Sequence, residues 1–469
     1  MMQRKLALAI LFSLAVTLLA ADISGPWRGT LEPGMMRLRL GLNVTRADSG
    51  TLAATLDSYD QGALGIPVDS IGLDGNRVTF TIAGPGISYQ GTLSAGGNEI
   101  DGKFTQGGMS FPLKLTRGAG SDNAVKRPQQ PKPPYPYKEE EVTVDNTKGA
   151  VRLGGTLTLP AGTGPFPAVV LLSGSGPHDR DETLFGHKPF LVIADSLTRR
   201  GTAVLRFDDR GVGKSSGIKM ASTEDDLAGD AMACVEYLRS RKDILPRSVG
   251  LIGHSEGGIL APLAAAGSPD VAFIVMLAGP AIPGEELLKL QARALMHAAG
   301  ASDEHIQAEN DVQDRLFALI RGGGDPKAME QKLHAALREY LAKLPEEQRK
   351  ALGDAQAFED SQVKTIMTAD LRSIILSDPA KTLRKVRCPV LGLNGGLDLQ
   401  VPADANLPAL AGALAAAGNP DYAIVKLPGL NHLFQTARTG LVGEYGAIEE
   451  TFSPTALDII GAWIARHVK

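Results

Sequence analysis

The sequence predicts two domains: a small antiparallel all-β barrel or sandwich, then a larger α/β domain with a mostly parallel, doubly wound sheet. Three observations predict it. Residues 22–118 alternate apolar and polar with period two. Beyond residue 139, short apolar runs are separated by amphipathic helical patterns, and a proline-rich stretch parts the two regions. The chain of 469 residues has room for more than one domain. An apolar fraction of 43% and a charged fraction of 21% exclude a wholly disordered chain. Lys+Arg 48 against Asp+Glu 52 leaves a net charge of −4, so no basic surplus points to nucleic acid or an anionic membrane. Two cysteines exclude a disulfide scaffold and a Cys-based zinc site.

The first element is a targeting segment. Arg4 and Lys5 precede an almost unbroken apolar run from Leu6 to Leu19, followed by Ala20-Ala21 and the polar Asp22-Ile23-Ser24. This reads as a secretory signal peptide over residues 1–21, although a leucine stands where cleavage favours a small residue. A membrane anchor is the competing reading, but the run is about 15 residues, short of the roughly 20 that span a bilayer. The mature protein is therefore expected to be periplasmic or secreted, without a membrane span. Export would permit a Cys234–Cys388 disulfide. Two separate buried thiols are the reading preferred, since Cys234 falls on an amphipathic helix and Cys388 opens a strand.

In residues 22–118, Leu38, Leu40, Leu42 and Val44 share one face while Arg37, Arg39, Asn43 and Thr45 share the other. Val78, Phe80 and Ile82 repeat the pattern, and turn sequences such as Asp74-Gly75-Asn76 separate the runs. About eight strands are expected. Gly25-Pro26-Trp27 has the G-x-W form found at the start of lipocalin barrels, but a tryptophan plugging one end of a small β core is the reading preferred. Residues 119–138 hold five prolines between Pro128 and Pro136 and read as a stiff, polyproline-like linker.

From residue 139 to 469, apolar runs fall at Ala168 to Leu172, Ala203 to Phe207, Val249 to Gly253, Phe273 to Leu277, Val390 to Leu393 and Ala423 to Leu427. Continuous apolar strands between helices mean a parallel sheet buried on both faces. Residues from about 284 to 380 break the alternation with helical patterns alone. Such an insertion is most simply a cap over the carboxyl ends of the strands.

Gly253-His254-Ser255-Glu256-Gly257 follows one strand directly and opens a helix. A G-x-S-x-G at that junction is a nucleophile elbow, whose glycines let the chain turn sharply beneath an exposed hydroxyl. A second copy, Gly213-Lys214-Ser215-Ser216-Gly217, lies between loops and lacks that context. It is no phosphate loop either, because Asp208 stands where the first Walker glycine belongs. The nearby Asp209-Arg210 is expected to fix this loop by local salt bridging. A serine nucleophile needs a base, and the base an orienting acid. Strand Val390 to Leu393 leads to Asp398, and strand Ala423 to Leu427 leads to His432, so both would reach the edge that carries Ser255. Asp404 is the rival carboxylate, but it opens a helix and suits a cap. Ser173-Gly174-Ser175-Gly176-Pro177 forms a tight loop after another strand, and the backbone N–H groups of Ser175 and Glu256 are the expected oxyanion donors. His254 should point away from the hydroxyl, while His178 and His187 lie close enough in sequence order to touch substrate.

Together these segments, with Asp208-Asp209-Arg210-Gly211-Val212-Gly213, resemble the α/β-hydrolase superfamily and in particular its serine esterase and aminopeptidase-like branch. The resemblance covers residues 139–469. One departure is Ser173, where that family often has histidine. The resemblance implies a serine hydrolase acting through Ser255, His432 and Asp398, with no metal or cofactor. Carboxylic esters are the expected substrates, with thioesters or short peptides as alternatives on the same triad. From a different class, the chain would be a ligand-binding protein on a vestigial hydrolase fold.

Overall fold

The computed structural model describes residues 22–468 except 33–36, 48, 62, 84–85, 107–108, 119–124, 347–348, 350–351 and 353. The expected signal peptide, residues 1–21, lies outside the described residues. No described helix is long and apolar enough to cross a membrane.

Among the described residues the first sheet has nine strands, one more than expected: β1 Gly25–Leu31, β2 Leu38–Arg46, β3 Leu52–Ser58, β4 Ala63–Pro67, β5 Ser70–Asp74, β6 Arg77–Ile82, β7 Ile87–Leu93, β8 Glu99–Gln106 and β9 Met109–Arg117. Their order is β4-β3-β2-β1-β9-β8-β7-β6-β5, antiparallel throughout. The two edge strands are consecutive in sequence, so the sheet curls back towards itself. Pro67 has no N–H to carry a ladder further, and β4 ends there before β5 begins at Ser70. Period two fills the interior. Trp27, Leu42, Val78, Phe80, Tyr89, Ile100, Leu113 and Leu115 are all buried. The Trp27 indole donates to the Ile23 carbonyl at 2.8 Å, and Phe80 stacks on Tyr89.

The proline-rich segment does not hang free. The Arg127 guanidinium donates to the carbonyls of Phe185, Gly446 and Ile448, and the Gln129 amide pairs with the backbone of Thr451 and Phe452. Tyr137 donates to Asp195. The β domain also meets the second domain directly: a Cβ on Gly446 would stand 2.1 Å from the Asp60 carbonyl.

The second sheet runs β10-β11-β13-β12-β14-β15-β16-β17. Its strands are β10 Lys138–Asn146, β11 Val151–Leu159, β12 Phe166–Leu172, β13 Ala203–Phe207, β14 Ile244–His254, β15 Ile274–Leu277, β16 Val390–Gly395 and β17 Tyr422–Leu427. The opening pair is antiparallel, β11 joins β13 antiparallel, and from β13 onward neighbours are parallel. Helices cover both faces: α1 Pro189–Arg199, α2 Glu224–Ser240 and α3 Gly257–Gly267 precede the insertion. Strand β12 shows why its run is continuously apolar. Ala168, Val170 and Leu172 pack with α2 and α3, while Val169 and Leu171 pack on the opposite face with α1.

The insertion after β15 is helical, as read: α4 Gly284–Ala298, α5 Asp303–Gly322, α6 Pro326–Lys343, α7 Ala355–Ile366, α8 Ala369–Leu376 and α9 Pro379–Leu383. Asp325 caps α6 by accepting from the Ala328 N–H, with Pro326 at the first helical position. Helices α10 Ala403–Ala416 and α11 Pro454–His467 complete the fold. The Glu224 N–H donates to Ser373 on α8, which seats this helix over the N-terminus of α2 at the carboxyl edge of the sheet. Cys234 and Cys388 are free thiols, and Cys388 precedes β16 without belonging to it.

Candidate active site

Strand β14 ends at His254, and Ser255 follows with φ +52°. A non-glycine residue in that region is strained, and the surroundings must hold it there. They do: the Ser255 N–H donates to the Leu277 carbonyl, and its own carbonyl accepts from Gly258. A Cβ on Gly253 would meet the Gly257 carbonyl at 1.9 Å, and one on Gly257 would meet the Leu172 carbonyl at 2.2 Å. Only glycine fits at either flank of the turn.

Asp398 lies just beyond β16 and is 4% exposed. Its Oδ1 accepts from the N–H groups of Gln400 and Val401, and its Oδ2 accepts from His432 Nδ1 at 2.9 Å. That bond leaves Nε2 of His432 as the nitrogen able to take a proton. The His432 ring lies 4.9 Å, centroid to centroid, from that of His254, the residue before Ser255. Asp404 is exposed and paired with Lys426 instead.

The Ser173–Pro177 loop, the expected source of an oxyanion donor, packs against the elbow, since a Cβ on Gly174 would lie 3.3 Å from the Ser255 Cβ. Ser175 is exposed, and Glu256 stands at the N-cap of α3, where the first amides of a helix have no partner of their own. The Gly174 N–H donates to Glu182 Oε1 at 2.7 Å, and the Gly174 carbonyl accepts from Lys219 Nζ at 2.7 Å. Ser173 occupies the position of the missing histidine and donates to Asp209.

His178 borders this loop, with Nε2 at 2.9 Å from the Ser175 carbonyl. His187 does not reach it. Its ring is fully buried, Nδ1 meets Thr451, and Nε2 meets the Tyr445 carbonyl and the Gln435 amide. Burial and the nearby Arg127 charge push its pKa down to about 4. His187 is thus a neutral packing group, and the expectation of substrate contact is corrected. The loop around Asp209-Arg210 is fixed by ion pairs as expected, but not local ones. Arg210 pairs with Asp230 on α2, Asp209 with Lys219, and Asp208 with Arg180. Ser215 is held structurally, donating to the Asp208 carbonyl and accepting from the Gly154 N–H.

Two groups escaped the sequence reading, Glu182 and Lys219. Lys219 Nζ lies 3.0 Å from Asp209 and 3.4 Å from Glu256. Burial pulls its pKa down, but Glu256 and Asp209 outweigh that, and the ammonium is retained. Burial pushes Glu256 up to about 7 and Glu224 to about 8, and it raises Asp370 of α8. Among the described residues, no group of three or more His, Cys, Asp or Glu side chains is placed to hold a metal ion.

Comparison with known proteins accords with this geometry. The Hydrolase_4 family, described as serine aminopeptidase S33, matches residues 188–435, more than half of the chain. The chain belongs to this family, and its second domain is an α/β-hydrolase fold. The esterase EstD of Thermotoga maritima is 38% identical over 170 residues, 36% of this chain and 39% of EstD. The match thus spans well under half of that relative. An uncharacterized protein of Mycobacterium tuberculosis is 30% identical over 132 residues, 28% of this chain and 43% of the relative. Among solved structures, an esterase of Pyrococcus furiosus covers 71% of this chain and 92% of its own, at 16% identity and a TM-score of 0.43.

Proposed function

We propose that this protein is an exported serine hydrolase that cleaves carboxylic esters through Ser255, His432 and Asp398. The observation that carries the reading is the bond of 2.9 Å between Asp398 and His432 Nδ1, at the sheet edge where Ser255 is held at φ +52°. His432 Nε2 takes the Ser255 proton as Oγ attacks the ester carbonyl. The amides of Ser175 and Glu256 receive the developing oxyanion. The alcohol leaves with the proton from His432, and an acyl-enzyme remains on Ser255. Water, deprotonated by His432, then releases the acid and restores the serine.

The ester reading is favoured because EstD is named an esterase and is 38% identical over the matched region. A peptidase reading rests on the family's description as an aminopeptidase. Export is proposed from the apolar run at Leu6 to Leu19 behind Arg4 and Lys5. The ligand-binding alternative finds less support, because side chains from Trp27 to Leu115 fill the interior of the β domain.

A fluorophosphonate probe on the mature protein, beside its Ser255→Ala variant, tests the reading. Labelling lost in the variant is expected. A panel of p-nitrophenyl esters and aminoacyl anilides then separates esterase from peptidase, with the esters turned over faster. Equal labelling of both proteins would move the nucleophile elsewhere.

A further inference from the structure

The elbow histidine, His254, is buried between two acceptors. Nδ1 lies 2.9 Å from Glu182 Oε1, and Nε2 lies 3.0 Å from the carbonyl of His432. A neutral imidazole has one N–H and could serve only one of them. Glu182 Oε1 is meanwhile an acceptor for the Gly174 N–H. A carboxylate facing a doubly protonated ring satisfies every group. Glu182 itself is 1% exposed and sits at φ +51°, a conformation that costs energy and is held by these bonds.

We propose that Glu182 and His254 form a buried ion pair that positions the oxyanion loop against the loop carrying the catalytic base. This rests on the ester-hydrolase reading. The connection is continuous: Gly174 N–H to Glu182, Glu182 to His254, and His254 to the backbone of His432. One end sets the peptide that precedes the Ser175 donor, and the other sets the residue that accepts the serine proton. Neither Glu182 nor His254 touches substrate in this scheme. The electrostatics agree in direction. Burial alone would raise Glu182 and lower His254, but their mutual attraction outweighs it, leaving Glu182 low and His254 high. The other titratable groups facing the pair are His178, on the Glu182 side, and Asp398 and His432, on the His254 side. Of these, Asp398 adds to the stabilisation of the imidazolium.

The first test is a nitrogen-15 spectrum of the histidine rings in the full mature chain, with His254→Gln to assign the signal. Both ring nitrogens of His254 are expected to carry protons at pH 8. The second is the kinetics of Glu182→Gln on a p-nitrophenyl ester. A carboxamide keeps an acceptor for Gly174 but removes the charge. We expect kcat to fall by roughly a hundredfold, as for an ångström-scale displacement of a reacting group, with KM nearly unchanged. A neutral His254 at pH 8, or a folded Glu182→Gln enzyme with wild-type kcat, would overturn the proposal. If Glu182→Gln does not fold, kcat of His254→Gln decides in its place. A wild type that no fluorophosphonate labels would instead sink the hydrolase reading, while the spectrum still judges the ion pair.

Discussion

Lys219 Nζ donates to the carbonyl of Gly174 at 2.7 Å, and that carbonyl shares its peptide plane with the N–H of Ser175. In a trans peptide the two point in opposite directions. The Lys219 cation holding the carbonyl therefore fixes the Ser175 N–H on the opposite side of the peptide. The Gly174 N–H is tied on its own side to Glu182. The Gly174 peptide is thus held on both sides, by Lys219 and by Glu182, which would fix the proposed Ser175 donor.

Replacing Lys219 by methionine is the direct check. Asp209 and Glu256 would lose their buried counter-charge, and breaking such a pair costs about 3–5 kcal/mol. Urea unfolding should show that loss as a lower midpoint. The folded fraction should hydrolyse esters with kcat reduced roughly ten- to a hundredfold and KM little changed, since the proposed oxyanion donor is misplaced while Ser255, His432 and Asp398 are untouched.

Two buried acids, Glu256 and Glu224, predict how stability responds to pH. Glu224 and Glu256 are raised from an ordinary 4.5 to about 8 and about 7, so folding takes up protons there. Their contribution is fully present below about 4.5 and is lost as pH climbs through 7 to 8. His254, raised by its pairing with Glu182, slopes the same way. His187, depressed to about 4, acts oppositely but only below its unfolded value of about 6.5. Between pH 6.5 and 8.5 the protein should therefore lose stability with rising pH. The Glu224→Gln variant should lose roughly 2 kcal/mol less over that range, at about 1.4 kcal/mol per unit for one proton. Denaturant titrations at both pH values would show it, and parallel behaviour of the two proteins would refute it.

The assignment of the acid is separable from its rival by two amide substitutions. Asp398→Asn keeps the shape but favours the wrong tautomer of His432, and kcat should fall by about four orders of magnitude. Asp404→Asn removes only an exposed ion pair with Lys426, worth less than about 1 kcal/mol, and should leave ester hydrolysis intact. Steady-state kinetics on one p-nitrophenyl ester would distinguish the two. A large loss in Asp404→Asn alone would reassign the acid.

The parts legible in the sequence are those encoded locally. The proposed triad residues Ser255, Asp398 and His432 each follow an apolar run within a few residues, so each lies just past a strand end. The glycines around Ser255 mark a turn that only glycine permits. Glu182 and Lys219 carry no such mark. Lys219 meets Gly174 across 45 residues and Glu182 meets His254 across 72, contacts that only the assembled sheet creates. His187 misled for the same reason. Its proximity in sequence to the oxyanion loop was real, but segments 445–451, more than 250 residues away, close over its ring.

Ser255 itself offers a test that opposes stability to function. Its φ of +52° is unfavourable for any residue with a Cβ, while glycine enters this region freely. Ser255→Ala removes the hydroxyl and keeps the strain. Ser255→Gly removes both, and its relief should exceed the added chain entropy that glycine brings to the unfolded state. Both variants should lose fluorophosphonate labelling. Ser255→Gly should nevertheless unfold at a higher urea midpoint than Ser255→Ala, by about 1 kcal/mol. Equal midpoints would mean that the elbow stores no strain at this residue. The turn at Ser255 would then be a matter of packing by Gly253 and Gly257 alone.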